Sequence, residues 1–371
     1  MVSVGVFGAA GILGSTIVRE LAHVPDVTAI HLFDVNAAQM EIEATDARAL
    51  AEKTRLPSLE VVTHTTDMRN VDELAATLDR VPLDAAIQAA TARGWYSFPG
   101  LFEPQVWKRI NHEGRMGPWL PLFLDLPARL MQARKAAGST VPVVQISYPD
   151  AVNAVLDAVG LTPAAGCGNS QNIATIVRLS AAKELGIPVR DVDIELVANH
   201  FHAWALAADD PEMAQRPLWL RVYVQNQDVT DSVTTESFWA DVRATYPRQR
   251  PVFAASSAVQ NAMRIVRDDR TAGHINSPAG LPGGVTARLG ADGAELLLPA
   301  GMSEADVRSM LTTAQQGDGI DGIDPDGSVR ISPASAAVMK ELIGYDCEVL
   351  HFDEIGDRAE ELLARLPGGN G

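Results

Sequence analysis

The sequence predicts an α/β protein in which a doubly wound parallel sheet is followed by a mixed α+β region. Short buried-strand patterns alternate with helical patterns through the first 150 residues, and a glycine-rich turn joins the first strand to the first helix. The chain of 371 residues is too long for one ordinary hydrophobic core. We therefore expect two packed units, residues 1–150 and residues 151–371, that share a cleft.

The first unit repeats a strand followed by a helix. Val2–Phe7 predicts a buried strand, and the apolar spacing of Ile12–Ala22 predicts a helix that begins directly after the glycine turn. The strand Val27–Phe33 and the helix Ala37–Lys53 form the second such pair. Three further strands are predicted, at Val61–Thr63, Ala85–Ala89 and Val141–Ile146.

The second unit mixes helices with strands. Helices are predicted at Ala151–Val159, Asn172–Leu185, Ser256–Arg267 and Ser303–Gln315, and strands at Asp193–Ala198 and Leu218–Val224. From about residue 317 the chain has an extension that begins with a Gly/Asp-rich loop, Gly317–Gly327, and ends with a helix, Asp353–Leu366. The aspartates of this loop are predicted to be solvated turn residues, because the closing glutamate of a calcium loop is missing: Asp318, Asp321, Asp324 and Asp326.

The amino-acid composition indicates which binding partners and which cellular compartment to expect. The formal net charge of −17 repels phosphate backbones and anionic lipid, so nucleic acid and membrane partners are not expected. Two cysteines are too few for a disulfide framework, and the first residues form a strand pattern instead of a secretion signal. We therefore expect a protein of the reducing cytoplasm.

A glycine pattern lies between the first strand and the first helix. Gly8, Gly11 and Gly14 form G-x-x-G-x-x-G, which lets backbone amides and a helix N-terminus approach a pyrophosphate. Asp34 ends the second strand, where a carboxylate binds both ribose hydroxyls and repels a 2′-phosphate. The pattern predicts an NAD-binding Rossmann domain that prefers NAD to NADP. Its predicted cofactor-binding residues are Gly8, Gly11, Ile12, Leu13, Gly14, Asp34, Ala90, Thr91 and Ser147.

Two polar segments of the second half, Gly166–Asn172 and Ala198–His202, lie in apolar surroundings, as expected for the floor of a cleft. With the glycine pattern, they resemble the lactate and malate dehydrogenases over roughly residues 1–315. In that family a glycine-flanked helix is followed by a strand that ends in a catalytic histidine, here His200. The resemblance implies hydride transfer between NAD and a hydroxyl-bearing carbon, with His200 exchanging the hydroxyl proton, in a homodimer or homotetramer.

The sequence departs from this family at the residues that decide the substrate. Asn172 stands where the resemblance implies an aspartate beside the catalytic histidine, so we expect the pKa of His200 to be lower than in an aspartate-paired dyad. Tyr148-Pro149 replaces the family's Asn-Pro. Arg93 is the best match to a substrate-binding arginine, and a second one is not evident among Lys108, Arg109 and Arg115. The resemblance implies a small polar substrate, anionic or sugar-like.

Two alternatives stay open at this point. Cys167 and Asn199-His200 are similar to positions of the NAD- and metal-dependent glycosidases, which implies that Cys167 and His200 hold a divalent metal such as manganese. The missing aspartate and Asn-Pro are also compatible with an inactive NAD-binding protein. His202, two residues after His200, is a candidate second cleft histidine if the strand continues. A cluster of aromatic residues predicts a lid or a subunit contact: Trp95, Tyr96, Trp107 and Trp119.

Overall fold

The computed structural model describes residues 2–54, 59–246 and 251–368. Its strands are β1 (Val2–Phe7), β2 (Val27–Asp34), β3 (Glu60–Thr65), β4 (Ala85–Gln88), β5 (Val143–Gln145), β6 (Ala165–Gly166), β7 (Val192–Val197), β8 (Trp219–Val224), β9 (Gln227–Asp228), β10 (Ala272–Asn276), β11 (Gly284–Gly290), β12 (Gly293–Leu296), β13 (Ile320–Ile323), β14 (Val329–Ile331) and β15 (Val349–Leu350). Its helices are α1 (Ile12–Leu21), α2 (Ala37–Thr54), α3 (Val71–Arg80), α4 (Pro104–Arg109), α5 (Leu120–Ala136), α6 (Pro149–Ala158), α7 (Asn169–Leu185), α8 (His200–Ala208), α9 (Thr230–Val233), α10 (Glu236–Thr245), α11 (Pro251–Arg267), α12 (Glu304–Gln315), α13 (Pro333–Ile343) and α14 (Ile355–Arg365).

The main sheet has the strand order β12-β11-β10-β6-β5-β4-β1-β2-β3. Strands β1 to β6 pair in parallel, and β10 to β12 continue the sheet in antiparallel pairs. The predicted fold class is confirmed. The order reverses between β1 and β4, and in such sheets a ligand binds in the crevice at the carboxyl ends of these two strands. Because the sheet continues past residue 150, the division into two units at that residue stays a prediction.

The second half of the chain has its own small core. Strands β7, β8 and β9 form a three-stranded antiparallel sheet; its strand β7 packs against α7, and α10 packs against α7. Helix α8 follows β7 after two residues, and the side chain of Asn199 caps it by accepting a hydrogen bond from the Phe201 amide at 2.9 Å. This cap places His200 at the first position of the helix.

The predicted loop Gly317–Gly327 is in part a strand. Residues Ile320–Ile323 pair with Val329–Ile331, and the short strand β15 completes an antiparallel sheet. Sequence patterns missed this sheet because its strands have only two to four residues, which is too short to show alternation. They also missed α13.

The extension belongs to the core of the first half. Helix α14 packs along α5, and α13 packs against the π-helical turn Ile110–Gly114. Buried apolar side chains of the extension share one cluster with those of the first half, among them Ile320, Met339, Leu362, Leu120 and Trp119. Burying such side chains stabilises a protein by about 1.5–3 kcal/mol each. The extension is therefore an integral part of the molecule.

Candidate active site

The glycine turn is packed as a dinucleotide-binding turn requires. Gly8 has a φ of +83°, and a Cβ atom there would lie 2.6 Å from the Ala90 amide nitrogen. A Cβ atom on Gly14 would lie 2.0 Å from the Gly8 carbonyl oxygen. Side chains at these two positions would separate the turn from β4 and from α1. The backbone therefore leaves room for a pyrophosphate at the N-terminus of α1.

Asp34 is held beside this turn by the backbone. Its Oδ2 accepts a hydrogen bond from the Ala10 amide at 3.1 Å, and its Oδ1 accepts one from the Asn36 amide at 3.0 Å. Each carboxylate oxygen keeps acceptor capacity, and Asp34 lines the cavity that opens in front of the turn. This arrangement fits the two hydroxyls of an adenosine ribose.

One cavity of about 910 Å³ extends from the glycine turn to His200. Most of the predicted cofactor residues line it, whereas Gly14 packs behind the turn. Trp95, Tyr96 and Trp107 also line the cavity, but Trp119 is fully buried in the core. The cofactor residues on the cavity wall are Gly8, Gly11, Ile12, Leu13, Asp34, Ala90, Thr91 and Ser147.

The imidazole of His200 is paired with a carboxylate of the extension. Its Nδ1 lies 2.9 Å from both oxygens of Asp318, and the Tyr148 hydroxyl donates to Asp318 Oδ2 at 3.1 Å. The Tyr148 ring packs edge-on against the His200 ring, with centroids 4.7 Å apart. His200, Asp318 and Tyr148 thus form one connected group on the cavity wall.

This geometry corrects two predictions. Asn172 lines the cavity at the start of α7, but among the described residues the side-chain hydrogen bonds of His200 are made with Asp318. Asp318 is also not a solvated turn residue, because only 3% of it is exposed. A Cβ atom on Gly317 would lie 2.4 Å from the Phe201 ring, so the close packing of this glycine brings Asp318 to the imidazole.

The expectation of a His200 pKa lower than in an aspartate-paired dyad loses its premise, because Asp318 pairs with this imidazole. Burial by itself lowers the pKa of His200, but the charge and hydrogen bond of Asp318, with the charge of Asp150, outweigh it and raise this pKa above its ordinary value. Burial, with the Asp318 charge next, raises the pKa of Tyr148 well above its usual range, so its hydroxyl stays protonated and donates to Asp318. The pair can therefore stabilise an imidazolium by charge.

Asp150 is a second buried carboxylate near the pair. Its Oδ1 accepts hydrogen bonds from Asn276 Nδ2 at 2.8 Å and Ser277 Oγ at 2.9 Å, whereas its Oδ2 is buried with no partner among the described residues. Burial raises the pKa of Asp150 to about 6, although these hydrogen bonds and the charge of His200 act in the opposite direction. Sequence reasoning missed this residue, because nothing in the sequence places position 150 beside position 200.

His202 does not face the cavity with His200. A helix begins at His200 where a strand was expected to continue, so the two side chains are not related by strand alternation. His202 Nδ1 accepts a hydrogen bond from the Asn199 amide at 3.0 Å, and burial lowers the pKa of His202 to about 4. His202 is therefore a neutral residue that completes the cap of α8.

The structure gives no support for a metal. Cys167 lies on the cavity wall with its Sγ 3.6 Å from the Gln145 carbonyl oxygen, and burial raises the pKa of its thiol, which disfavours the thiolate form that binds a metal. Within residues 2–54, 59–246 and 251–368, no three His, Cys, Asp or Glu side chains are grouped so that they could hold a metal ion.

The predicted substrate-binding arginine, Arg93, also has a position different from the expected one. Arg93 Nε donates to Ser97 Oγ at 3.2 Å, and Arg93 does not line the cavity. Arg115, one of the displaced alternatives, does line it. Arg109 is partly buried and pairs with Glu341 on α13.

The fold is that of the lactate and malate dehydrogenases. The chain is similar to a lactate dehydrogenase from Cryptosporidium parvum with lactic acid and nicotinamide adenine dinucleotide (14% identity, TM-score 0.60), with 85% of this chain and 95% of that one covered. It is also similar to a lactate dehydrogenase from Eimeria maxima with NADH and oxamate (12%, 0.58; 85% and 91% covered) and to a malate dehydrogenase from Salinibacter ruber (16%, 0.54; 85% and 95% covered). No family model and no curated protein sequence matches the chain.

No helix among the described residues combines the length and the apolar character that a membrane span needs.

Proposed function

We propose that the chain is an NAD-dependent oxidoreductase that transfers a hydride between nicotinamide and a hydroxyl-bearing carbon of its substrate. The observation that carries this proposal is the His200–Asp318 pair at one end of a cavity whose other end is the glycine turn and Asp34. The similar solved structures are dehydrogenases, two of them with NAD or NADH beside lactic acid or oxamate, which supports the same class of reaction. The homo-oligomeric state and the cytoplasmic location stay predictions.

His200 is the proton acceptor in this proposal. Its Nδ1 is engaged with Asp318, so Nε2 is the nitrogen that takes the hydroxyl proton of an alcohol and returns it to a carbonyl. Asp318 fixes the imidazole orientation and stabilises the imidazolium, and Tyr148 holds Asp318 in place. When bound, NAD supplies a nicotinamide ring that accepts the hydride.

Asp318 also bears on the alternatives. The inactive NAD-binding protein was considered because a carboxylate beside the histidine was missing, and Asp318 supplies one from another part of the chain. The metal-dependent glycosidase required Cys167 and His200 to hold one ion, but these residues contact Gln145 and Asp318.

Net NADH formation with a panel of hydroxy acids and larger secondary alcohols tests the proposal. We expect NADH to accumulate with the oxidised product, at rates that EDTA and added manganese leave unchanged. Product formed without net NADH would favour transient oxidation as in the glycosidases. Tight NAD binding with no turnover of any compound would favour the inactive protein.

A further inference from the structure

One face of α8 forms the cavity wall beyond the imidazole. The residues that line the cavity are His200, Ala203, Trp204, Ala207 and Ala208, which recur at the spacing of three and four that places side chains on one side of a helix. The eight steps from His200 to Ala208, at about 1.5 Å per residue, make this face roughly 12 Å long. The cavity therefore continues about two helical turns past the point of proton exchange.

The α8 side of this part of the cavity is apolar after His200. The three alanines occupy little space, and the Trp204 ring is only partly buried. Trp204 is held in place because its Nε1 donates to Asn111 Oδ1 at 3.4 Å and the His112 ring packs against it, with centroids 5.3 Å apart. Methyl groups and aromatic rings of this kind bind the apolar part of a ligand better than a polar part.

Arg115 closes the far end of the face. Its guanidinium lies 4.6 Å from the Trp204 ring centroid and pairs with Asp210 at 3.3 Å and Glu212 at 3.2 Å, just past the C-terminus of α8. Its backbone, at φ 60° and ψ −168°, lies in a region that is almost restricted to glycine, and such strain is common at ligand sites. Two carboxylates balance the charge of Arg115, so this end offers a polar surface without an unmatched positive charge.

We propose that the substrate is a secondary alcohol, or the corresponding ketone, with an extended and mainly apolar body that lies along the α8 face. This inference rests on the proposed function. The alcohol loses its carbon-bound hydrogen as a hydride to NAD and its hydroxyl proton to His200, and the reverse reaction reduces the ketone. A molecule as short as lactate would cover only the first turn of the face. The substrate is thus larger than the small polar compound that the resemblance implies.

A pair of probes with the same reacting group tests the length of the substrate. Lactate and 2-hydroxy-4-phenylbutanoate share a hydroxy acid head, and only the second has an apolar body that extends along the α8 face toward Ala207. We expect wild-type kcat/KM to favour the longer probe by about tenfold or more, the discrimination typical of added apolar contacts. In Ala207→Phe, which fills the face, we expect this ratio to fall at least about tenfold. Ala49→Phe, on an exposed side of α2, is the matched control and should keep the wild-type ratio.

Calorimetric titration of the NAD complex with 2-hydroxy-4-phenylbutanoate separates this inference from the proposed function. Binding that Ala207→Phe weakens about tenfold, without oxidation of any probe, would support the extended site and refute the dehydrogenase. Oxidation of both probes with a ratio that Ala207→Phe leaves unchanged would support the dehydrogenase and refute the extended site. A folded wild-type protein that fails to bind the longer probe would also refute it. Circular dichroism checks that each variant is folded.

Discussion

The two ends of the cavity are built in different ways. The ribose end consists of the Gly8 turn and Asp34, which lie at the carboxyl ends of the adjacent strands β1 and β2 and are only 26 residues apart. The catalytic end joins Tyr148, His200 and Asp318 from three distant parts of the chain. A site formed within one strand-turn-helix unit is visible as a motif. A site formed by tertiary packing is visible only in the structure, and substitutions at the two ends should have different effects.

The largest expected effect is at His200. In His200→Gln the proton acceptor is lost while the ribose end is untouched, so we expect turnover to fall by about 1,000-fold, as for other general acid–base residues, with NAD affinity unchanged. Steady-state kinetics and NAD titration measure the two quantities. Turnover close to wild type would show that the proton goes to another group.

The next effect is at Asp318. Asp318→Asn keeps the shape of the side chain but removes the charge that stabilises the imidazolium, so we expect kcat to fall by about 100-fold. The matched control is Asp321→Asn, an exposed aspartate three residues further along the same extension, which should leave kcat unchanged. Equal losses in both variants would mean that Asp318 acts through folding and not on His200.

The pH dependence of the oxidation rate gives a second test of Asp318→Asn. Alcohol oxidation needs neutral His200, so the rate should fall as the pH decreases through the pKa of His200, which lies above the ordinary value of 6.5. Asp318→Asn removes the charge that raises this pKa, so the acidic limb should move to lower pH. If the acidic limb of the pH profile does not move, a group other than His200 controls the pH dependence of the rate.

At the ribose end we expect a change in cofactor choice. Asp34→Ala removes two ribose hydrogen bonds and the repulsion of a 2′-phosphate, so NAD affinity should fall by about 10- to 100-fold, with no loss of NADP affinity. Asp67 is another acidic residue on the same cavity wall. The variant Asp67→Asn tests whether the preference for NAD depends on Asp34 itself or on the negative charge of this region. If the wild-type protein binds NADP as tightly as NAD, Asp34 is not the residue that selects the cofactor.

The smallest effect is at Asp150. Its pKa is raised from 3.8 to about 6, so the ionised form is disfavoured in the folded protein and the free energy of unfolding decreases as the pH rises from 3.8 through about 6. Asp150→Asn has no charge to bury, so its melting temperature should exceed that of the wild type by roughly 2 °C near pH 8, and the difference should disappear near pH 4. Calorimetry at the two pH values checks this.

Sequence reasoning predicted what local patterns determine. It predicted the alternation of strands and helices, the glycine turn and Asp34, because each depends on residues close in the chain. It also predicted His200 through resemblance. It did not predict Asp318, because a Gly-Asp-Gly segment in a polar stretch has the composition of an exposed turn. Only the apolar packing of the extension against α5 and Phe201 makes that aspartate a partner of His200.

The position of Asp318 so late in the chain affects the order in which the molecule is made. During translation the imidazole of residue 200 emerges 118 residues before the carboxylate that pairs with it. Domains fold from the N-terminus as synthesis proceeds, but here the charge partner of His200 lies 118 residues further along the chain. The nascent chain therefore lacks the His200–Asp318 pair until Asp318 and the residues packed around it have left the ribosome.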